Sequence, residues 1–161
     1  MKKHKSLWFT LLLLPLTSLA NDQVHIMSPI NNIFDAMREH NGGKFIKQFS
    51  QGAMLERATK EDKIKQSDLI KFAKFITTST KKLDEQLFNI KIIESGNLAS
   101  VWTPFAFYLD GKLSHCGVNS FQLIKQNKQW KIRYLIDNAY EGDCQTFIKV
   151  HKAEFQKKVS L

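Results

Sequence analysis

The chain has 161 residues, and its 24 Lys and Arg outweigh 15 Asp and Glu to give a formal charge of +9. With 43% apolar, 11% aromatic and 24% charged residues, and only two cysteines, the composition is that of one folded domain. It excludes a disordered, collagen-like or cysteine-stapled chain.

Residues 1–20 read as an export signal. Lys2, Lys3 and Lys5 make a positive start, Leu7 to Leu16 is uncharged and mostly apolar, and Ser18-Leu19-Ala20 offers a small-x-small cleavage site. The alternative is a retained anchor, but the apolar run is shorter than the ~20 residues a spanning helix needs. Cleavage after Ala20 places residues 21–161, at a charge of +6, in a bacterial periplasm or outside the cell, with no stable membrane anchor. In such an oxidising space Cys116 and Cys144 are expected to form a disulfide around a loop of about 29 residues, the alternative being two buried thiols. No metal site is expected: His25, His40, His115 and His151 show neither HxH nor HxxxH spacing.

Asn21 to Met27 is expected to be a loose lead-in. Ser28-Pro29 then supplies a cap and a first-turn proline, and Ile30, Ile33, Phe34 and Met37 form one helical face that Gly42-Gly43 ends. Phe45, Ile46 and Phe49 suggest a short second helix, and Ala53 to Arg57 a short strand. Lys60 to Lys65 is a charged, exposed stretch. Ser67 is expected to cap a helix that turns Leu69, Phe72, Ala73 and Ile76 inward. From Leu83 the period changes to two. A strand with Phe88, Ile90 and Ile92 on one side ends at Ser95-Gly96-Asn97, and three long strands follow: Leu98 to Leu109, Leu113 to Lys125, and Trp130 to Ile136. The tail from Thr146 to Val159 is helix-compatible. Helices followed by a strand meander indicate an α+β domain with helices on one sheet face.

The runs Leu98-Ala99-Ser100-Val101-Trp102-Thr103-Pro104-Phe105, Tyr108-Leu109-Asp110-Gly111-Lys112, His115-Cys116-Gly117-Val118-Asn119-Ser120-Phe121-Gln122-Leu123 and Trp130-Lys131-Ile132 carry a resemblance. The sequence resembles the nuclear transport factor 2-like superfamily, in the bacterial branch labelled lumazine-binding or SnoaL-like. The resemblance covers about Ile30 to Cys144 and is strongest from Ala99 to Ile132. It implies a cone: a curved antiparallel sheet wrapped around N-terminal helices, with a pocket between them. The superfamily holds ketosteroid isomerases, polyketide cyclases, dehydratases and members that only bind, so fold alone does not give the reaction.

Register then places side chains. With Asp110-Gly111 and Asn127-Lys128 as two-residue turns, Trp102 opposes Asn119 and Phe121 opposes Tyr134. The more apolar face, expected to line a pocket, then carries Trp102, Tyr108, His115, Asn119 and Tyr134 as ligand-binding candidates. A one-residue slip or a bulge inverts such an assignment. His115 and Cys116, as strand neighbours, point to opposite faces and cannot form a catalytic dyad. The isomerases and cyclases of this fold use a pocket carboxylate as base, yet the same register puts Asp137 on the outer face, leaving only Asp35 and Glu56 to reach inward.

Three functions follow, in order. The first is an exported small-molecule-binding protein for a small apolar or flat-ring ligand. The second is a small cofactor-free isomerase, cyclase or dehydratase, which a buried carboxylate of raised pKa near His115 would favour. The third is an envelope interaction module, using the sheet's outer face for a homodimer. The catalytic residues are left unassigned, no cofactor is expected, and an exported chain is not expected to meet nucleic acid.

Overall fold

The computed structural model describes the backbone of residues 17–159 and the side chains of residues 23–153. The charged and apolar parts of the expected signal therefore lie outside the described residues. Helix α1 spans Thr17–Arg38 and α2 Gly42–Ile46, followed by β1 (Phe49–Ala58), β2 (Ile64–Ser67) and α3 (Leu69–Thr78). Then come β3 (Leu83–Leu87), β4 (Lys91–Ser95), β5 (Leu98–Leu109), β6 (Lys112–Gln126), β7 (Gln129–Ala139) and α4 (Cys144–Val159). The seven strands form one sheet in the order β2-β1-β7-β6-β5-β3, with β4 pairing the first half of β5. Only the β1–β7 pairing is parallel. The sheet curves around α1, α2 and α3, as the α+β reading expects.

The expected loose lead-in is helical. Ile26, Ile30, Ile33 and Met37 are all buried, so the inward stripe starts a turn before Pro29, which sits inside α1 instead of opening it. Packing of that stripe outweighs the hydrogen bond that the proline removes. Gly42 opens α2 rather than ending α1, because the Asn41 side chain accepts from Lys44 N. Asp68, not Ser67, caps α3, its Oδ1 accepting from the amides of Ile70 and Lys71.

Both hairpin turns form as the sequence suggests. Asp110 and Gly111 (φ 51° and 76°) and Asn127 and Lys128 (49° and 64°) have the paired positive φ of tight hairpins. The register departs from a simple ladder beyond them. Tyr108 pairs Leu113 but Phe107 pairs His115, so Ser114 is an extra residue, and Asn119 faces Thr103 rather than Trp102. Likewise Leu123 pairs Ile132 but Gln122 pairs Tyr134, so Arg133 is extra and Asn119 faces Asp137. Each bulge slips its pairing by one residue and so exchanges the faces of the partner strand.

Four placements are corrected as a result. Trp102 is 50% exposed on the outer face. Tyr108 packs outside with Phe88, Ala106 and Ile148. Tyr134 is also outside, its hydroxyl donating to Glu56 at 2.7 Å. Asp137, expected outside, is inside. The inner row of β6 stands as expected: Asn119, Phe121 and Leu123 are buried, and Gly117 sits where a Cβ would lie 1.9 Å from the Asn138 carbonyl.

Helix α4 crosses the outer face of β5 and β6 and is tied there by a disulfide between Cys116 and Cys144, with Cα atoms 5.7 Å apart. Phe88, Ala106 and Ile148 form a small second core beneath it. On the chain-entropy model such a link contributes ~3–4 kcal/mol. Replacing both cysteines by alanine should lower the unfolding free energy by about that amount in denaturant titrations; an unchanged midpoint would show the link to be idle.

Candidate functional site

Between the helices and the sheet lies a cavity of about 340 Å³. Its walls are apolar: Ile33, Phe34 and Met37 from α1, Phe45 from α2, Phe72 and Phe75 from α3, and Leu55, Leu83, Phe107, Leu109 and Leu135 from the sheet. Five polar side chains converge on it, all from strands: Arg57, Glu85, His115, Asn119 and Asp137. An apolar cleft with a few convergent polar groups is the usual form of a small-molecule site.

Strand pairing explains why these five meet. Arg57 pairs Asp137 across β1 and β7, and Asp137 pairs Asn119 across β7 and β6, so three side chains stand in one row. Glu85 pairs Phe107 across β3 and β5, and Phe107 pairs His115 across β5 and β6. Glu85 and His115 thus stand two strand spacings apart, about 10 Å between backbones, with the Phe107 ring between them.

The charges are arranged in two ways. Arg57 Nε donates to Asp137 Oδ1 at 2.7 Å and Nη2 to Oδ2 at 2.5 Å, a bidentate pair that holds the guanidinium pKa above its ordinary value. Glu85 has no such cation in contact. Its carboxyl oxygen Oε1 accepts from Asn119 Nδ2 at 2.7 Å, and Asn119 is 3% exposed. Glu85 keeps some surface open to the cavity, but the surrounding protein strips most water from its carboxyl. This desolvation, reinforced by the negative charge of Asp137 and opposed by the Asn119 hydrogen bond and Arg57, pushes its pKa from 4.5 up to about 8. His115 moves the other way. Burial and the nearby Arg57 charge hold its pKa below the ordinary 6.5, against the pull of Asp137. Its ring packs against Phe105 and Phe107 with centroids 5.8 and 5.2 Å away, and Nδ1 lies 3.2 Å from Ser114 Oγ. At neutral pH both shifts favour the uncharged forms, a protonated carboxyl and a neutral imidazole.

No family model and no curated protein matches the sequence. Solved structures match the fold. A protein of unknown function from Shewanella baltica, described as NTF2-like, superposes with a TM-score of 0.61 at 12% identity, over 78% of this chain and 99% of that one. A candidate scytalone dehydratase from Novosphingobium aromaticivorans gives 0.64 at 12% identity, over 75% and 85%. A candidate dehydratase of the NTF2-like family from Streptomyces avermitilis gives 0.63 at 10%, over 76% and 99%. The chain has the nuclear transport factor 2-like fold.

Within this nuclear transport factor 2-like fold, two of the five sequence candidates, His115 and Asn119, line the cavity, while Trp102, Tyr108 and Tyr134 lie on the other face. Neither Asp35 nor Glu56 lines it: Asp35 pairs with Arg38 at 2.6 Å and Glu56 with Tyr134. Sequence reading missed Arg57, Glu85 and Asp137. The alternation Leu83-x-Glu85-x-Leu87 is a signal that would have found Glu85, since it puts the carboxyl on the same side as two leucines. Among the described residues, no group of three or more His, Cys, Asp or Glu could hold a metal ion.

The raised pKa of Glu85 has a stability consequence. Between pH 4.5 and about 8 the folded protein holds a proton that the unfolded chain releases, so this group's contribution is full at low pH and is lost as pH rises to 8. His115, with a lowered pKa, has the opposite slope below pH 6.5. Glu85→Gln keeps the Asn119 hydrogen bond and removes only the first contribution. The unfolding free energy of wild type relative to Glu85→Gln should fall by up to about 1.4 kcal/mol per pH unit from pH 5 to 8. Parallel curves would mean that Glu85 is ionised throughout.

Proposed function

We propose that the protein is an exported enzyme of the isomerase, cyclase or dehydratase kind that moves a proton on a small, largely apolar molecule in this cavity. The observation that carries the reading is the placement of a carboxyl, Glu85, and an imidazole, His115, on one apolar cavity wall that pushes the pKa of the first up and of the second down. Groups driven apart in pKa by their surroundings are what acid–base catalysis needs. Fold likeness to two candidate dehydratases agrees with the reading.

The roles follow from the hydrogen bonds. Asn119 donates to Glu85 Oε1 and leaves the other oxygen to carry the proton toward a substrate carbonyl or hydroxyl. When His115 Nδ1–H donates to Ser114 Oγ, Nε2 has its lone pair free to take a proton from carbon. In a dehydration, His115 would take that proton as the C=C bond forms. Glu85 would protonate the departing hydroxyl, which leaves as water, and proton exchange through solvent would reset both groups. The Arg57–Asp137 pair neutralises itself, so the cavity favours an uncharged substrate.

Export rests on the signal-like residues 1–20 and on the Cys116–Cys144 disulfide. Among the described residues no helix is long and apolar enough to cross a membrane.

Solvent-deuterium exchange into the α-carbons of a panel of neutral cyclic ketones, followed by proton NMR, tests the chemistry. The wild-type protein should accelerate exchange in at least one ketone, Glu85→Gln should lose roughly 10²-fold or more, and Gln122→Ala on the outer face should retain the rate. Saturable ketone binding without exchange would return the protein to the class of binding modules.

A further inference from the structure

Residues 63–82, which form β2, α3 and the turn after them, carry six lysines and a single acid, Asp68. Asp68 is occupied as the α3 cap and Lys81 pairs with Asp110 at 2.8 Å, so Lys63, Lys65, Lys71, Lys74 and Lys82 remain the bulk of a strongly basic surface. On α3, Lys71, Lys74, Phe75 and Thr78 recur at i, i+3, i+4 and i+7 and are all exposed, making one outward stripe. Two large apolar side chains stand among these lysines: Ile70 is 69% exposed and Phe75 52%. A solvated lysine face has no use for either.

Phe75 is also part of the cavity wall. From it an aromatic series leads inward, with ring centroids 6.0 Å apart for Phe75 and Phe72, 5.4 Å for Phe72 and Phe45, and 5.0 Å for Phe45 and Phe49. Strand β2 lies beside β1, pairing Lys65 with Arg57, which lines the cavity. Phe75 thus belongs both to the cavity wall and to the exposed, lysine-rich surface of α3.

We propose that this face of α3 and β2 docks on an anionic phospholipid surface, with Ile70 and Phe75 entering the headgroup region, Lys71 and Lys74 meeting the phosphates, and the cavity mouth opening onto the bilayer. Charge complementarity selects the partner: Lys71 and Lys74 lie on the outward side of α3 between the exposed Ile70 and Phe75, so an anionic surface meets the lysines while the two apolar side chains enter beside them. Docking there gives an apolar ligand a route into the cavity that avoids water. It stands independently of whether the cavity performs chemistry.

Co-sedimentation of the purified full chain with phosphatidylethanolamine–phosphatidylglycerol vesicles and with phosphatidylcholine vesicles tests this. The variants Lys71→Glu/Lys74→Glu and Ile70→Ser share the same N-terminal segment, so differences between them and wild type report on α3 alone. Each lysine near such a surface contributes about fivefold in partitioning, so the double charge reversal should weaken binding to the anionic vesicles by about 25-fold or more. Ile70→Ser should weaken it by a smaller factor, and raising salt should weaken wild type most. Wild-type partitioning by both variants would overturn the proposal. So would a wild-type dimer in sedimentation velocity that the charge reversal dissociates while vesicle binding is unchanged, since the face would then belong to a second copy.

Discussion

A carboxyl group inside a protein must either meet a cation or keep its proton, because an isolated charge in a water-poor setting is too costly. The cavity contains both solutions side by side. Asp137 is held by the fork of Arg57, and Glu85 is left with a neutral amide donor. Arg57 turns its Nε–Nη2 edge to Asp137, while the hydrogen bond to the Glu85 carboxyl comes from Asn119. The surroundings of Glu85 then follow: the phenylalanine-rich walls that exclude water, the buried Asn119 that orients the carboxyl, and the nearby negative charge of Asp137. The same lack of water, with Arg57 close by, keeps His115 uncharged.

Two extra residues decide which side chains share that setting. The bulges at Ser114 and Arg133 re-aim β5 and β7 relative to β6. They turn Thr103, Phe105, Phe107, Leu135 and Asp137 inward and send Trp102, Tyr108, Tyr134 and Ile136 out. Arg133 is accommodated at its bulge by donating to the Gln51 carbonyl at 2.9 Å, beside Gly52 at a positive φ of 70°. A ladder without bulges would put Tyr134 and Ile136 where Leu135 and Asp137 now stand, and the cavity would lose its ion pair.

The architecture was legible from period and punctuation. The alternation through His115, Asn119, Phe121 and Leu123 gave the right inner face for β6, Asp110-Gly111 and Asn127-Lys128 formed the turns expected of them, and the two cysteines met. The site was only half legible. Turn chemistry sets register near a hairpin, but a bulge several residues further along has no strong residue signature, and each one reverses the reading of the next strand. This is why Trp102 and Tyr134 looked like pocket residues and Asp137 did not. Glu85 was missed for a different reason. The period-two reading runs unbroken from Leu83 and rests its strand on Phe88, Ile90 and Ile92, whereas Asn89 at φ 40° breaks the run into two pieces that pair with different halves of β5.

The protonation state of Glu85 is the point on which the account turns. Carbon-13 NMR of the glutamate side-chain carboxyls, with the Glu85 resonance assigned by its absence in Glu85→Gln, reads that state directly. The account predicts that this resonance titrates near pH 8, apart from the exposed glutamates. A Glu85 resonance titrating near pH 4.5 would contradict it, leaving the cavity with two carboxylates and no acid.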